Sequence, residues 1–282
     1  MDNTLIFDEV FDKLYSFFKY KKQFVFVPTQ SRLSILAACE DPKTLVLTSI
    51  QGKSWPLPQT GQMNLEEEIL KNPSYKGVFC YTTSYRDEPH PIAGRHDIVF
   101  PMVEFESFGD INNLKKLEKE LLGYLGFNTP FEISYESACN KYGVDSIEAG
   151  QEQRLCEDYG DVVMLEKFPQ RTHPFWNMKH IGNGIYNKID VILWGMETMG
   201  SAERSCNVKE MRQNFLTISD GEYAQTLFTK FGEDEVMKEL NYYLSLKMVP
   251  RFGAGIGVVP RLSRAMEQEG LLKCFNVDKN EN

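Results

Sequence analysis

The sequence contains no run of about 18 or more apolar residues, which leaves no candidate for a membrane-spanning helix. Its opening stretch, MDNTLIFDEVFDK, is acidic and lacks a signal-peptide pattern, so the expected location is the cytoplasm. The six cysteines, at 39, 80, 139, 156, 206 and 274, form no CxxC pair. That spacing argues against a zinc or disulfide framework and for reduced, mostly buried thiols. Basic charge is also scarce: 31 Lys and Arg stand against 40 Asp and Glu, a net charge of −9. A nucleic-acid binder normally displays a basic face, because neutralising phosphates supplies much of its affinity. The one modest basic cluster, Asn113–Glu120, mixes its lysines with acids and reads as a solvated helix face. No internal repeat or low-complexity linker is present. What remains is ordinary for a globular chain of 282 residues: 42% hydrophobic and 25% charged.

Periodicity supplies the elements. Phe7, Val10, Phe11, Leu14, Phe17 and Phe18 follow helical spacing, and FVFVP (24–28) and KTLVLTSI (43–50) read as strands. Residues 55–61 form a loop, after which Asn64 is placed to cap the helix LEEEIL. Residues 77–85 and 98–108 are β-like around a polar turn at 86–97, giving a long hairpin. Ile111, Leu114, Leu117, Leu121 and Leu125 mark a second amphipathic helix. Strands DVVML (161–165) and IDVILW (189–194), a helix around Val236–Leu246 and a Gly-rich strand entering a helix (251–266) follow. Hairpins outnumber strand–helix alternation, which predicts an α+β fold with a mixed, largely antiparallel sheet.

Four constellations carry chemistry. Arg86, Glu88, Arg95, His96 and Phe100 flank the hairpin loop, where arginine forks pair with phosphate oxygens and an aromatic ring stacks on a base; a charged hairpin loop, with Glu104 and Glu106 on a solvated strand face, is the plain alternative. Asp190, Glu197 and Arg204 are spaced seven apart. Two carboxylates near a strand end can hold Mg²⁺ against phosphates, and the arginine can pair with a substrate carboxylate; surface acids are the competing explanation. Gly253, Gly255 and Gly257 precede Arg261 without the Gly-Lys-Ser/Thr of a Walker loop. Finally, Gln62 sits in the loop 58–66, where a glutamine could orient an ammonium group.

Taken in chain order over roughly residues 55–265, these features resemble the class II aminoacyl-tRNA synthetases, in the aspartyl/asparaginyl branch. Thr60–Glu66 looks like the asparaginyl-type substrate loop, Arg86-x-Glu88 like motif 2, and Gly255-Ile-Gly257 with Arg261 like motif 3. The stretch from Phe168-Pro169 to Pro174-Phe175 is similar to the segment preceding the metal carboxylates. The resemblance implies an antiparallel sheet flanked by helices, and a homodimer formed near the first helix and Pro28. It implies ATP and Mg²⁺, with Arg86 on the α-phosphate and Glu88, Arg95, His96, Phe100, Glu197 and Arg261 around ATP. Gln62, Asp190, Ser201 and Arg204 would bind the amino acid, and Asp190 with Glu197 would hold the metal. The chain departs from the family in the length of the motif 2 loop, in Val99, in Gly200-Ser201 and in Val258-Val259-Pro260.

Fewer than sixty residues precede the substrate loop, too few for the anticodon-reading OB-fold of ~100 residues. The expectation is therefore a single catalytic domain, 1–282, with the amino acid and ATP as its expected partners and tRNA disfavoured but not excluded. Its implied activity is that of ammonia-dependent asparagine synthetases: ATP-driven activation of aspartate (or asparagine), followed by amidation. The alternatives are a tRNA ligase without its anticodon domain and a non-catalytic regulatory paralogue.

Overall fold

The computed structural model describes residues 3–37, 39–89, 91 and 97–273. Its centre is an eight-stranded sheet. The strands are β1 (Val25–Phe26), β4 (Gly77–Tyr85), β5 (Val99–Phe108), β6 (Phe131–Ser134), β7 (Val162–Pro169), β8 (Ile185–Leu193), β9 (Met196–Glu203) and β10 (Arg251–Gly257), while β2 (Leu47–Ile50) and β3 (Lys53–Pro56) make a separate hairpin. The order across the large sheet is β1-β4-β5-β10-β9-β8-β7-β6. The two outermost pairings, β1 with β4 and β6 with β7, are parallel, and all the inner ones are antiparallel. The mixed, largely antiparallel sheet expected from the hairpins is the one observed.

The helices are α1 (Asn3–Ser16), α2 (Gln62–Lys71), α3 (Ile111–Leu125), α4 (Tyr135–Tyr142), α5 (Ala149–Tyr159), α6 (Val208–Thr217), α7 (Glu222–Phe231), α8 (Glu233–Ser245) and α9 (Ser263–Gln268). Side chains alternate faces along a strand, and β5 shows what this does. Val103 and Phe105 join the main core with α1, α3 and α9, whereas Glu104 and Glu106 point to the other face. On α3, Leu114, Leu117, Leu121 and Leu125 are buried in that same core. A second core of Trp176, Met211, Phe215, Leu227 and Leu240 holds α6, α7 and α8 together beside the polar face. The opposite face is apolar at its flanks, where Val78 and Cys80 meet α2 and Val163 and Leu165 meet α4 and α5, and is left polar for chemistry in the middle.

Several predicted boundaries differ from the observed ones. Asn64 does not cap α2; it is buried inside it, and the helix begins at Gln62 after Gly61. The N–H groups at the start of the helix are met from elsewhere: the Gly61 amide donates to the Glu104 carboxylate at 2.6 Å and the Gln62 amide to the Thr60 hydroxyl at 3.0 Å. A β5 side chain therefore does the work of a cap. The strand expected at 43–50 is also shorter, with a 3-10 turn at Pro42–Thr44 before β2. Of the cysteines among the described residues, all are free thiols, four are buried and Cys206 is exposed.

Candidate active site

A cavity of about 420 Å³ opens on the polar face of the sheet. Its floor exists because β10 is rich in glycine. Gly253 pairs with Glu106 and Gly255 with Glu104 across the β5–β10 ladder. A Cβ on Gly253 would lie 1.8 Å from Glu106 Oε2 and 2.4 Å from the Phe105 carbonyl oxygen. Glycine at 253 lets the Glu106 carboxylate lie flat over the neighbouring strand, and glycine at 255 leaves room for the Met102 methyl, which a Cβ there would meet at 2.7 Å.

One end of the cavity is a buried ion cluster. Arg204 Nε and Nη2 donate to Glu106, each at 3.3 Å, and Nε is 3.5 Å from Glu66 Oε1. Glu66 Oε2 accepts from Arg251 Nη2 at 2.8 Å and from the Tyr243 hydroxyl at 2.6 Å, while its Oε1 accepts from Asn177 at 2.8 Å. Gln62 joins by donating to Glu106 at 2.5 Å and to the Phe105 carbonyl at 2.9 Å. Glu66, Glu106 and Arg251 have no solvent exposure and Arg204 has 5%. Burial pushes the Glu106 carboxyl up to about 7 despite Arg204 beside it. Burial acts on Glu66 in the same direction, yet Arg251 and Arg204 outweigh it and hold that carboxyl low. Two carboxylates and two guanidinium groups thus form a balanced set, since an unpaired buried charge would cost several kcal/mol.

Glu104 lies beside this cluster, accepting from Gly61 N and the Thr60 hydroxyl, and burial pushes its carboxyl up. The solvated-face reading of Glu104 and Glu106 is therefore overturned: both are at most 1% exposed.

The other end carries the hairpin residues. Arg86 leaves β4 with Nε donating to Ser84 Oγ at 3.3 Å, its guanidinium paired to Glu40 and lying 5.8 Å from the Phe100 ring centre. Arg261 Nη1 donates to the Glu197 carbonyl at 3.0 Å. Asp190 pairs with Gly200 across β8–β9. A Cβ on Gly200 would stand 3.1 Å from Glu197 Oε1 and 3.6 Å from Asp190 Oδ1, so the two carboxylates converge over that bare position. Both Asp190 oxygens lie 2.5 Å from Lys188 Nζ. Burial pushes the Asp190 carboxyl up to about 7, with Glu197 adding to the rise and Lys188 opposing it.

Of the residues expected at the site, Gln62, Arg86, Glu88, Phe100, Glu197, Ser201, Arg204 and Arg261 line this one cavity. Asp190 sits a layer beneath, 7% exposed behind Lys188. Ser201 contributes to the wall, but its hydroxyl donates to the Ile189 carbonyl at 3.1 Å. Arg95 and His96 lie outside the described residues. Glu66, Glu106, Arg251, Tyr243 and Asn177 were not singled out as site residues by the motif reading, though Glu66 and Glu106 stood within quoted motifs. The signal for Glu106 was its period-2 spacing from Glu104, which puts two acids on one strand face.

A divalent cation fits this geometry in one respect. Mg²⁺ is commonly held by one or two carboxylates with water and substrate phosphates completing the shell, and Glu197 faces the cavity beside Asp190. No group of three or more His, Cys, Asp or Glu residues suited to a metal occurs among the described residues.

Comparison with known proteins agrees with this architecture. The family model of class II tRNA synthetases (D, K and N) matches residues 10–267. Asparaginyl-tRNA synthetase from Pyrococcus horikoshii, solved with asparaginyl-adenylate, superposes with a TM-score of 0.76 at 21% identity, over 93% of this chain and 65% of that one. The Entamoeba histolytica asparaginyl enzyme with the same adenylate gives 0.72 at 18% identity, over 94% and 63%. The aspartyl enzyme of that organism gives 0.65 at 17%, over 92% and 55%. The chain therefore spans 55–65% of the length of these three structures. No curated protein matches it. From the matched span and the shared fold, the chain belongs to the class II tRNA synthetases of the D, K and N group.

Proposed function

We propose that this chain uses ATP to activate aspartate as an aminoacyl-adenylate and passes the acyl group to ammonia, releasing pyrophosphate and AMP. The observation that carries the reading is the buried cluster of Arg204, Arg251, Glu66 and Glu106, which reaches the cavity lined by Arg86 through Arg204 and Glu66. An amino-acid head is itself balanced: its carboxylate matches Arg204, and its ammonium matches the glutamates around Gln62. Aspartate docked this way turns its other carboxylate toward Arg86.

Attack on the α-phosphorus needs no general base, because the nucleophilic carboxylate is already ionised. Positioning and fixed charge then supply the acceleration. Arg86 exchanges Glu40 for the α-phosphate as charge builds there, Phe100 and Arg261 bracket the adenine, and Glu88 reads its edge. Glu197 would hold Mg²⁺, with Asp190 joining once it gives up Lys188; bound there, the ion neutralises phosphate charge.

A second reading rests on the same cluster. Asparagine's amide could accept from Arg204 and donate to Glu66 Oε1, placing its α-carboxylate at Arg86, as suits relatives solved with asparaginyl-adenylate. Incubation with ATP and either amino acid separates them: ammonia-dependent formation of asparagine and AMP supports the first, and transfer of labelled asparagine to tRNA supports the second. We further propose a homodimer through α1, the helical turn Phe17–Lys21 that follows it and the β1 edge, where Leu5, Tyr20 and Phe26 are exposed; light scattering at the eluted peak would give twice the chain mass.

A further inference from the structure

A second cavity, of about 270 Å³, adjoins the first and shares Glu40, Phe175, Met178 and Lys188 with it. The shared residues are a partition between the two spaces. From this geometry we infer that the side chamber is the acceptor subsite, and that it takes a small organic primary amine rather than ammonia alone. The inference rests on the activation reading above and adds the identity and entry point of the second substrate.

Size is the first support. One water-sized molecule such as ammonia needs on the order of 30 Å³, far less than the chamber offers. Charge is the second. Three carboxylates, Glu40, Asp41 and Glu222, line the chamber against two lysines, Lys43 and Lys188. That surplus favours a cation and disfavours an anionic acceptor. The third support is the rim. His173 is held in the left-handed region at φ 50°, ψ 56°, and Ser219, which lines the same chamber, sits at φ 52°. Such backbone is costly outside glycine and clusters where a side chain must be aimed. His173 brings an imidazole to the chamber, a side chain commonly used to take a proton from an ammonium.

The step balances simply. The ammonium gives one proton to the His173 imidazole, and the freed lone pair forms the C–N bond to the acyl carbon. The C–O bond to AMP breaks with its electron pair on the phosphate oxygen, and the second proton leaves to water. Pro42, Pro174 and Ile218 provide apolar surface for the carbon chain of the amine.

The test compares ethylamine with ammonia in amine-dependent AMP release, each rate divided by the aspartate-dependent pyrophosphate exchange of the same preparation. Wild type should use ethylamine at least as well as ammonia. Ile218→Trp, which fills the chamber, should lower the ethylamine-to-ammonia ratio about tenfold, the scale of a pocket refusing extra methylene groups. His173→Gln should lower both amine rates relative to exchange and move their pH profile. Use of ammonia alone by wild type, or a ratio unmoved by Ile218→Trp, overturns the inference while exchange persists. Absence of exchange with aspartate would instead sink the activation reading itself.

Discussion

Arg251 shows how one residue can shape specificity without touching the cavity. It binds Glu66 through Nε at 3.1 Å and Nη2 at 2.8 Å, and also the Tyr243 hydroxyl at 2.6 Å. It thereby cancels a carboxylate that would otherwise repel an acidic substrate. Breaking a buried pair from one side costs about 3–5 kcal/mol, so Arg251→Met should lower stability by that order in urea unfolding. Adding Glu66→Gln removes the orphaned charge, and the double variant should recover a large part of the loss. Additive costs in the double variant would mean that the two residues do not act as a pair. At the other end, Arg86→Ala should reduce kcat for adenylate formation by about 100-fold or more, as loss of a transition-state charge donor does. The aspartate KM should change little, because the amino acid is held elsewhere. A large rise in KM with kcat intact would assign Arg86 to substrate binding instead.

At the scale of elements, β10 is the clearest case of a strand written for its neighbours. The sequence shows three glycines alternating with Phe252, Ala254 and Ile256, and the structure puts that apolar row in the main core. It cannot show why the other row is glycine, because the reasons are side chains brought in from elsewhere: Glu106 and Gln62 over Gly253, Met102 over Gly255 and Arg261 over Gly257. Gly253→Ala should therefore disturb the site and the β5 backbone together: Glu106 and Gln62 must move, the Phe105 carbonyl would stand 2.4 Å from the new methyl, and differential scanning should show a lowered Tm alongside lost exchange. The same limit explains the misplaced cap of α2. Its capping carboxylate comes from Glu104, 43 residues away from Gly61, a distance no local motif reports. By contrast α3 runs from Ile111 to Leu125 as its leucine spacing predicted, because there one face alone decides the pattern. Acids spaced by two look identical whether their face meets solvent or a polar interior, which is why Glu106 was legible as a position but not as a partner of Arg204.

For the whole molecule, most of the fold was open to sequence reading, since the motifs appear in family order and the sheet follows from the hairpins. The joining of distant charges was not. That joining has a collective consequence. Burial pushes Glu106 and Asp190 up to about 7 and Glu118 to about 8. Carboxyls whose folded pKa is raised bind more protons folded than unfolded, so stability falls as pH rises from about 4.5 toward 8. Thermal unfolding should show a lower Tm at pH 8 than at pH 5.5. Glu118→Gln, which mimics the protonated acid, should flatten the upper part of that slope; an unchanged slope would mean that Glu118 does not titrate there.

The most direct measurement is pyrophosphate exchange into ATP with aspartate and asparagine offered separately, in wild type and in Arg204→Gln. The expected result is exchange that depends on aspartate and collapses in the variant. Exchange with neither amino acid, or exchange that survives loss of the Arg204 guanidinium, would contradict the assignment of this cavity as an amino-acid-activating site.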